Sequence, residues 1–322
     1  MNTLSIITPL IMVSLLGFIC TKTRWLSKTQ LNTLSQFTFS VSIPAFLFYQ
    51  MAKADFSEQV SPQLFIAFYL PVLTCYAITW LINYFFYPIN RLKQQSITSD
   101  NKKASSAVFA LSASYSNTII VGLPVLLAAL GEQVLGIIFL IVTFHSAMLF
   151  TLTSAMAASA TTNKKSGKLK GLIFIKKTIN NPLIISILAG LLVNLSGIAL
   201  PNFVWDSLAL ISKPAISLAL FILGASLAFY QVRNTFLFIS IACVSKLILL
   251  PTLVLLTSQT IFNLEPFIVT VLVLLSACPT GVNAYLIASS HQQHQQTTAG
   301  TVVLSTLLSI ITIPLWLSYM LQ

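Results

Sequence analysis

Charge is what this 322-residue chain has least of: Asp, Glu, Lys and Arg together make up 7% of it, against 56% hydrophobic residues. Soluble domains carry about 25% charged residues, so a water-soluble globular fold is excluded and a polytopic all-α membrane protein is indicated. Acids are scarcer still. Asp55, Glu58, Asp100, Glu132, Asp206 and Glu265 all fall between apolar runs or at their ends. That leaves no membrane-embedded carboxylate to carry a coupling proton or bind sodium. Cysteine is limited to Cys20, Cys75, Cys243 and Cys278 without CxxC spacing, so neither a disulfide framework nor a zinc site is expected. His291 and His294 form an HxxH with no cysteine or acid beside it, and no metal is assigned to them. The paired aspartates, HExxH and GxSxG that an intramembrane enzyme would need are missing. No enzyme and no cofactor are expected. No loop is long enough to hold a soluble signalling domain, although a membrane sensor built on the same architecture stays an alternative.

What is present is a series of apolar stretches of membrane-spanning length. Ten of them run approximately 4–20, 31–52, 63–86, 104–129, 134–158, 182–199, 207–229, 236–258, 266–288 and 298–321. Loops after odd-numbered stretches hold 14 of the 17 Lys and Arg residues, and loops after even-numbered ones hold only Lys53. The positive-inside rule then puts the odd loops in the cytoplasm and both termini outside. The net charge of +11 is thereby an orientation signal, with no nucleic-acid partner expected. The basic run at 164–177 also offers contact with anionic membrane lipid, although orientation alone accounts for it. The first stretch, Leu4 to Cys20, has its positive residues (Lys22, Arg24, Lys28) after it. A secretory signal has the opposite polarity, so the stretch reads as a retained first span. Trp25, Trp80, Trp205 and Trp316 near span ends read as interface anchors.

The loop at 161–181 divides the chain into a first repeat, 1–160, and a second, 182–322. Five spans per half is odd, so the halves lie inverted. Prolines mark the correspondence: Pro44 with Pro214, Pro71 with Pro251, Pro124 with Pro279. The plain alternative is that prolines are common in membrane helices. Spans 4 and 9 carry the strongest interruptions, Ser116-Asn117-Thr118 through Gly122-Leu123-Pro124 and Ala277-Cys278-Pro279-Thr280-Gly281-Val282-Asn283. Proline removes a backbone donor, glycine tolerates unwound backbone, and in lipid such a break survives only where it lines a protected cavity. Paired breaks in the two halves point to a transporter's binding site. Pro124 and Pro279 suit the first position of a new half-helix, whose positive dipole end favours an anion. Asn117 and Asn283 add amides that either contact a carboxylate or cap the broken backbone.

Few ionisable groups lie inside the stretches. Lys246 sits ten residues into span 8, too deep for comfortable snorkelling. It supplies charge to the substrate, occupies the place of a coupling cation, or bonds carbonyls of a broken helix. His145, mid-span 5, is either a proton relay or a packing residue. Lys213, near the outer end of span 7, is able to snorkel.

In this order the motifs resemble a known family. Ile43-Pro44-Ala45-Phe46-Leu47-Phe48, Ser116-Asn117-Thr118 with Gly122-Leu123-Pro124, Asn181-Pro182, Gly224-Ala225-Ser226-Leu227, Lys246 with Pro251, and Ala277 to Asn283 are similar to those of bacterial permeases of the auxin efflux carrier family, which includes the plant PIN-type carriers. The resemblance covers all ten spans. It implies a bile-acid-transporter-like fold in which spans 4 and 9 cross. A scaffold of spans 1, 2, 6 and 7 would support a moving domain of spans 3–5 and 8–10. It implies an organic anion as substrate (auxin in plants, dicarboxylates such as malate or malonate in some bacterial members), a homodimer through the scaffold, and the bacterial inner membrane. Asn117, Pro124 and Pro279 match the family's crossover site by position, and Gly122, Gly281, Asn283 and Lys246 complete the expected substrate-binding set. The chain departs from the pattern in its short central loop, and His145 has no counterpart in it. With no membrane carboxylate, export of a monovalent organic anion is expected, and proton-coupled uptake through Lys246 or His145 is the alternative.

Overall fold

The computed structural model describes residues 3–53, 61–86, 99–158, 182–229 and 236–322. The basic central loop lies outside them. Every apolar stretch of the sequence is helical over most of its length, and among the described residues the only β-type pairing is one isolated bridge, Ser116 to Thr280. Among the described residues five helices are long and apolar enough to cross a membrane: Pro62–Phe86, Glu132–Ala157, Asn202–Leu227, Phe236–Ile261 and Gln295–Met320. The remaining apolar stretches form shorter helices, including Thr118–Leu130 and Pro266–Ala277.

Proline shapes these helices by a repeated local device. A ring at position i removes the N–H that would bond to carbonyl i−4 and collides with that carbonyl, so the preceding turn widens to the π form. Pro44 follows the π turn Thr38–Ser42, Pro124 follows Thr118–Gly122, and Pro251 follows Ser245–Leu249, each at the same offset. Two of the carbonyls orphaned by proline find partners on other helices. Trp316 Nε1 donates to Leu247 O at 3.0 Å, four residues before Pro251. Thr257 Oγ1 donates to Ala67 O at 3.1 Å, four residues before Pro71. Trp316 is thus tied to a helix interior rather than only anchored at an interface.

The chain divides into two compact units, and each draws on both halves of the sequence. One comprises Met1–Val60, Ile119–Thr143 and Ile179–Tyr230; the other comprises Ser61–Thr118, Phe144–Thr178 and Gln231–Gln322. In the first unit Thr3–Lys22 packs along Ala215–Leu227, and Ile43–Lys53 along Pro182–Ser196. Small residues allow these close approaches. A methyl group at Gly17 would overlap the Phe221 carbonyl, and one at Gly224 the Ser14 carbonyl. Gly190 meets Phe48 O in the same way, at 2.7 Å from the position of a Cβ. The Lys28–Phe37 helix begins with a capping box, Ser27 and Gln30 exchanging side-chain and backbone bonds, which satisfies two of the orphan donors of a helix start. Lys213–Pro214 interrupts the helical stretch that runs from Asn202 to Leu227, and Lys213 is exposed there.

The second unit is built around the Pro62–Phe86, Ser99–Ser114, Phe236–Val244, Pro266–Ala277 and Gln295–Met320 helices. Its core is unusually rich in buried hydroxyls, among them Ser106, Ser112, Ser114, Thr280, Thr298, Thr301 and Ser305. Buried polar groups require partners; Ser106, Ser114 and Thr301 bond carbonyls of their own helices, whereas Ser112, Thr280 and Ser305 are engaged at the two helix breaks.

Candidate substrate site at two broken helices

The Ser99–Ser114 helix stops at Tyr115, and helical structure resumes at Thr118. The Pro266–Ala277 helix stops at Cys278 and resumes at Asn283. Between these ends, two extended pieces lie antiparallel and exchange backbone bonds: Asn117 N–H donates to Pro279 O at 2.8 Å, and Gly281 N–H to Tyr115 O at 3.0 Å. Each break therefore supplies what the other lacks.

Two more backbone donors and two carbonyls freed by the breaks find side-chain partners. In a continuous helix Ser116 N–H would bond Ser112 O. Instead Ser112 O accepts from Thr280 Oγ1 at 2.8 Å, and Ser116 N–H donates to His145 Nε2 at 3.0 Å. In a continuous second helix Thr280 N–H would bond Ser276 O. Instead Ser276 O accepts from Lys246 Nζ, and Thr280 N–H donates to Ser305 Oγ at 3.0 Å. Ser112 Oγ and Thr298 Oγ1 share a bond of 2.7 Å beside them.

Lys246 is fully buried in the π turn that Pro251 imposes. Its ammonium meets the last turn of the Pro266–Ala277 helix, where unpaired carbonyls carry the negative end of the helix dipole. Of the roles open to Lys246 from sequence, contact with a carbonyl of a broken helix is the geometry observed. His145 is also fully buried. Its ring stacks on Tyr115 with centroids 5.1 Å apart and an interplanar angle of 13°, and Phe68 and Tyr69 lie around it at 5.8 and 6.1 Å.

Tyr115 is the residue that sequence reasoning passed over. Its hydroxyl bonds Ser146 Oγ at 2.8 Å and is also bonded to the Asn283 side chain. Its ring covers Gly281, where a Cβ would overlap Cε1 and come within 2.7 Å of Cδ1. One ring thus links the first break to the second and to His145. Ser112, Thr280, Ser276 and Ser305 were passed over as well. Ser112 and Ser276 take part through their main-chain carbonyls, which any residue would supply, so their side chains carry no signal of the role.

Of the residues expected from sequence, Asn117, Pro279, Gly281, Asn283, Lys246 and His145 come together in this unit. Asn117 is buried and Asn283 is exposed at the first helical position after the second break. Gly122 and Pro124 belong to the other compact unit. Pro124 sits in the first turn of the Leu123–Leu130 helix, as expected, but the break itself lies earlier, at Tyr115–Asn117. Pro279 does not open a half-helix. It lies one residue past the C-cap Cys278, a position where proline is common because it cannot continue the helix, and its carbonyl rather than its ring does the pairing.

A family model described as a membrane transport protein matches residues 4–317. The chain belongs to this family. It is a multi-pass membrane transporter of the auxin efflux carrier type. A protein of Rhizobium meliloti (strain 1021) named "Putative malonate transporter" is 25% identical over 280 residues, 87% of this chain and 84% of that one. "Uncharacterized transporter YfdV" of Escherichia coli (strain K12) is 25% identical over 325 residues, 96% of this chain and 95% of its own length.

The carrier has a second buried polar cluster, in the turn before the Gln295–Met320 helix. Asn83 Nδ2 donates to His294 Nε2 at 3.2 Å, His294 Nδ1 lies 3.2 Å from Thr297 Oγ1, and Ser106 Oγ donates to Asn83 Oδ1 at 3.1 Å. Phe109 and Phe238 flank the ring at 5.5 and 6.4 Å. Burial disfavours the charged imidazole and pushes the pKa of His294 down to about 4. The unfolded value is about 6.5, so folding favours the neutral form. The stabilisation is complete above pH 6.5 and is lost as the pH falls toward 4. Thermal melts of the carrier in detergent are expected to show a Tm that declines over this window. The decline should be shallower in His294→Asn, which tolerates the left-handed backbone at this position (φ 46°). An unchanged slope in the variant would remove His294 from the account.

Proposed function

We propose that this carrier moves a small organic anion, a carboxylate, across the bacterial cytoplasmic membrane by alternating access, with export favoured. The observation that carries the reading is the pair of backbone-paired helix breaks, because backbone opened within apolar stretches is tolerated only inside protein or along a cavity, and paired breaks in two halves of a chain mark a transporter's binding site. Asn117 and Asn283 stand directly before and at the start of the helical segments that follow the breaks. There an amide donor adds to the positive end of a helix dipole in favour of a carboxylate. Pro279 and Gly281 supply the opened, buried turn of backbone, and Gly122 and Pro124 follow Asn117 along the chain. Lys246 holds a buried carbonyl as a coupling cation would, so the fixed ammonium takes the place of a bound ion. The name of the Rhizobium meliloti relative supports a dicarboxylate such as malonate as the first substrate to test.

The helix pairing supports an inverted repeat of five spans plus five. In such a repeat span 1 answers span 6 and span 2 answers span 7, so packing of 1 on 7 requires packing of 6 on 2. Thr3–Lys22 packs on Ala215–Leu227, and Pro182–Ser196 on Ile43–Lys53. With odd loops cytoplasmic, both termini lie outside. An anion leaving an inside-negative cell gains about 2.3 kcal/mol per charge per 100 mV, and export therefore needs no coupling ion.

The test is flux of radiolabelled malonate, malate and indole-acetate from proteoliposomes, with and without an imposed inside-negative potential, for wild type and Asn117→Ala. Saturable efflux of one anion, accelerated by the potential and reduced at least tenfold in the variant, is the expected result. Strict dependence on a proton or sodium gradient would replace export by coupled uptake. Absence of flux for all three anions would remove the small-carboxylate assignment.

A further inference from the structure

The two breaks expose the same backbone problem, and they solve it with side chains of very different chemistry. At the first, Ser116 N–H has lost its helical acceptor because Ser112 O is held by Thr280 Oγ1, and it turns to His145 Nε2 at 3.0 Å. At the second, Thr280 N–H has lost Ser276 O to Lys246, and it turns to Ser305 Oγ at 3.0 Å. In both cases the acceptor sits on the helix that follows the broken one, Leu135–Ala158 for His145 and Gln295–Met320 for Ser305. A serine hydroxyl does at one break what an imidazole does at the other. Accepting a hydrogen bond is the only property the two side chains share in these places.

The donor also fixes the form of the imidazole. A backbone N–H only donates, so Nε2 must present its lone pair and the ring proton must sit on Nδ1. Adding a proton to Nε2 would set two donors against each other and release Ser116 from the crossing. His145 is moreover boxed in by the rings of Phe68, Tyr69 and Tyr115, with no solvent exposure. The titratable groups around it are the Tyr69 and Tyr115 hydroxyls and the Lys246 ammonium. None of them is a carboxylate that would take over a proton from it.

We propose that His145 is a positioning residue of the transport site: a hydrogen-bond acceptor that replaces the lost helix carbonyl of Ser112 and holds Tyr115–Ser116–Asn117 in the crossing, rather than a proton carrier. The proposal rests on the reading that the crossing is where the anion binds. A side chain that accepts at the same reach but carries no proton should substitute for it, and Gln does so through its amide oxygen.

The experiment compares wild type, His145→Gln and His145→Leu in two ways. In the first, protein labelled with 15N-histidine is examined by NMR in nanodiscs, and the resonances missing from His145→Gln identify His145. Their shifts are expected to show a protonated Nδ1 and a bare Nε2; a proton on Nε2 overturns the proposal. In the second, malonate flux is followed from pH 5.5 to 8. His145→Gln is expected to keep at least a third of the wild-type rate with the wild-type pH profile, while His145→Leu loses at least tenfold. Loss in His145→Gln equal to that in His145→Leu, a pH profile flattened in His145→Gln, or full activity in His145→Leu would each overturn it. If wild type moves none of malonate, malate and indole-acetate, the carboxylate reading fails on its own account, and the NMR arm still decides the role of His145.

Discussion

Gly281→Ala is expected to abolish transport while leaving a membrane-inserted protein. The added methyl would overlap Cε1 of Tyr115 and approach Cδ1 to 2.7 Å. That ring has nowhere to retreat. Its hydroxyl is held by Ser146 and Asn283, and its face is stacked on His145. Overpacking a filled site costs about 1–3 kcal/mol, and here the strain falls on the segment whose carbonyl, Tyr115 O, accepts the Gly281 N–H. Flux of the transported anion should drop at least tenfold and the melting temperature should fall by several degrees. Trimming the ring in the double variant Gly281→Ala/Tyr115→Leu should recover melting temperature but not flux, because the links through the Tyr115 hydroxyl are gone. Wild-type flux in Gly281→Ala would show that the close contact between Gly281 and Tyr115 is not needed for transport.

The second large effect is expected at Lys246. Replacement by Met keeps the length of the side chain and removes its charge and its donors, leaving Ser276 O buried without its partner. An unsatisfied buried carbonyl costs about 1–3 kcal/mol, and the end of the Pro266–Ala277 helix loses the cation that faces its dipole. Flux is expected to fall at least tenfold. Lys246→Gln separates the two contributions, since its amide still donates to the carbonyl but carries no charge. A Gln variant with near-wild-type melting temperature and little flux would assign the loss to the charge. A Gln variant with full flux would make Lys246 a purely structural ligand of the helix end.

The sequence made some of this site legible and concealed the rest. Runs of Pro, Gly and Asn within apolar stretches marked both interrupted helices, and hydropathy alone marked Lys246 as buried. The sequence places the first interruption over Ser116 to Pro124, whereas the opened backbone is confined to Tyr115–Asn117 and the stretch before Pro124 is helical. Proline acts on the turn before it, and there it produced a widened π turn rather than an open one. What opens the chain at Tyr115–Asn117 is competition from groups distant in sequence: Thr280 Oγ1 takes the carbonyl of Ser112, and Pro279 O offers Asn117 a better partner. No local pattern encodes that exchange. Tyr115 was invisible for a related reason, since an aromatic in an apolar stretch looks like any other until its hydroxyl finds Ser146. Hydropathy along the chain likewise does not mark that Ile119–Thr143 falls in the compact unit of the first two helical stretches.

The backbone pairing between the breaks also bears on the order in which the protein is made. Asn117 N–H finds its acceptor on Pro279, a residue synthesised long after the first break has left the ribosome. An unsatisfied amide in the bilayer core costs several kcal/mol, so the nascent chain gains by keeping Ser116 and Asn117 helical until the second break arrives. His145 enters the membrane earlier, with the helix that follows, and is the first group able to relieve Ser116. The open form of the first helix is on this account a late product of assembly. Chains truncated before residue 279 should carry an unbroken helix at 115–117, with Asn117 not yet presented to any ligand.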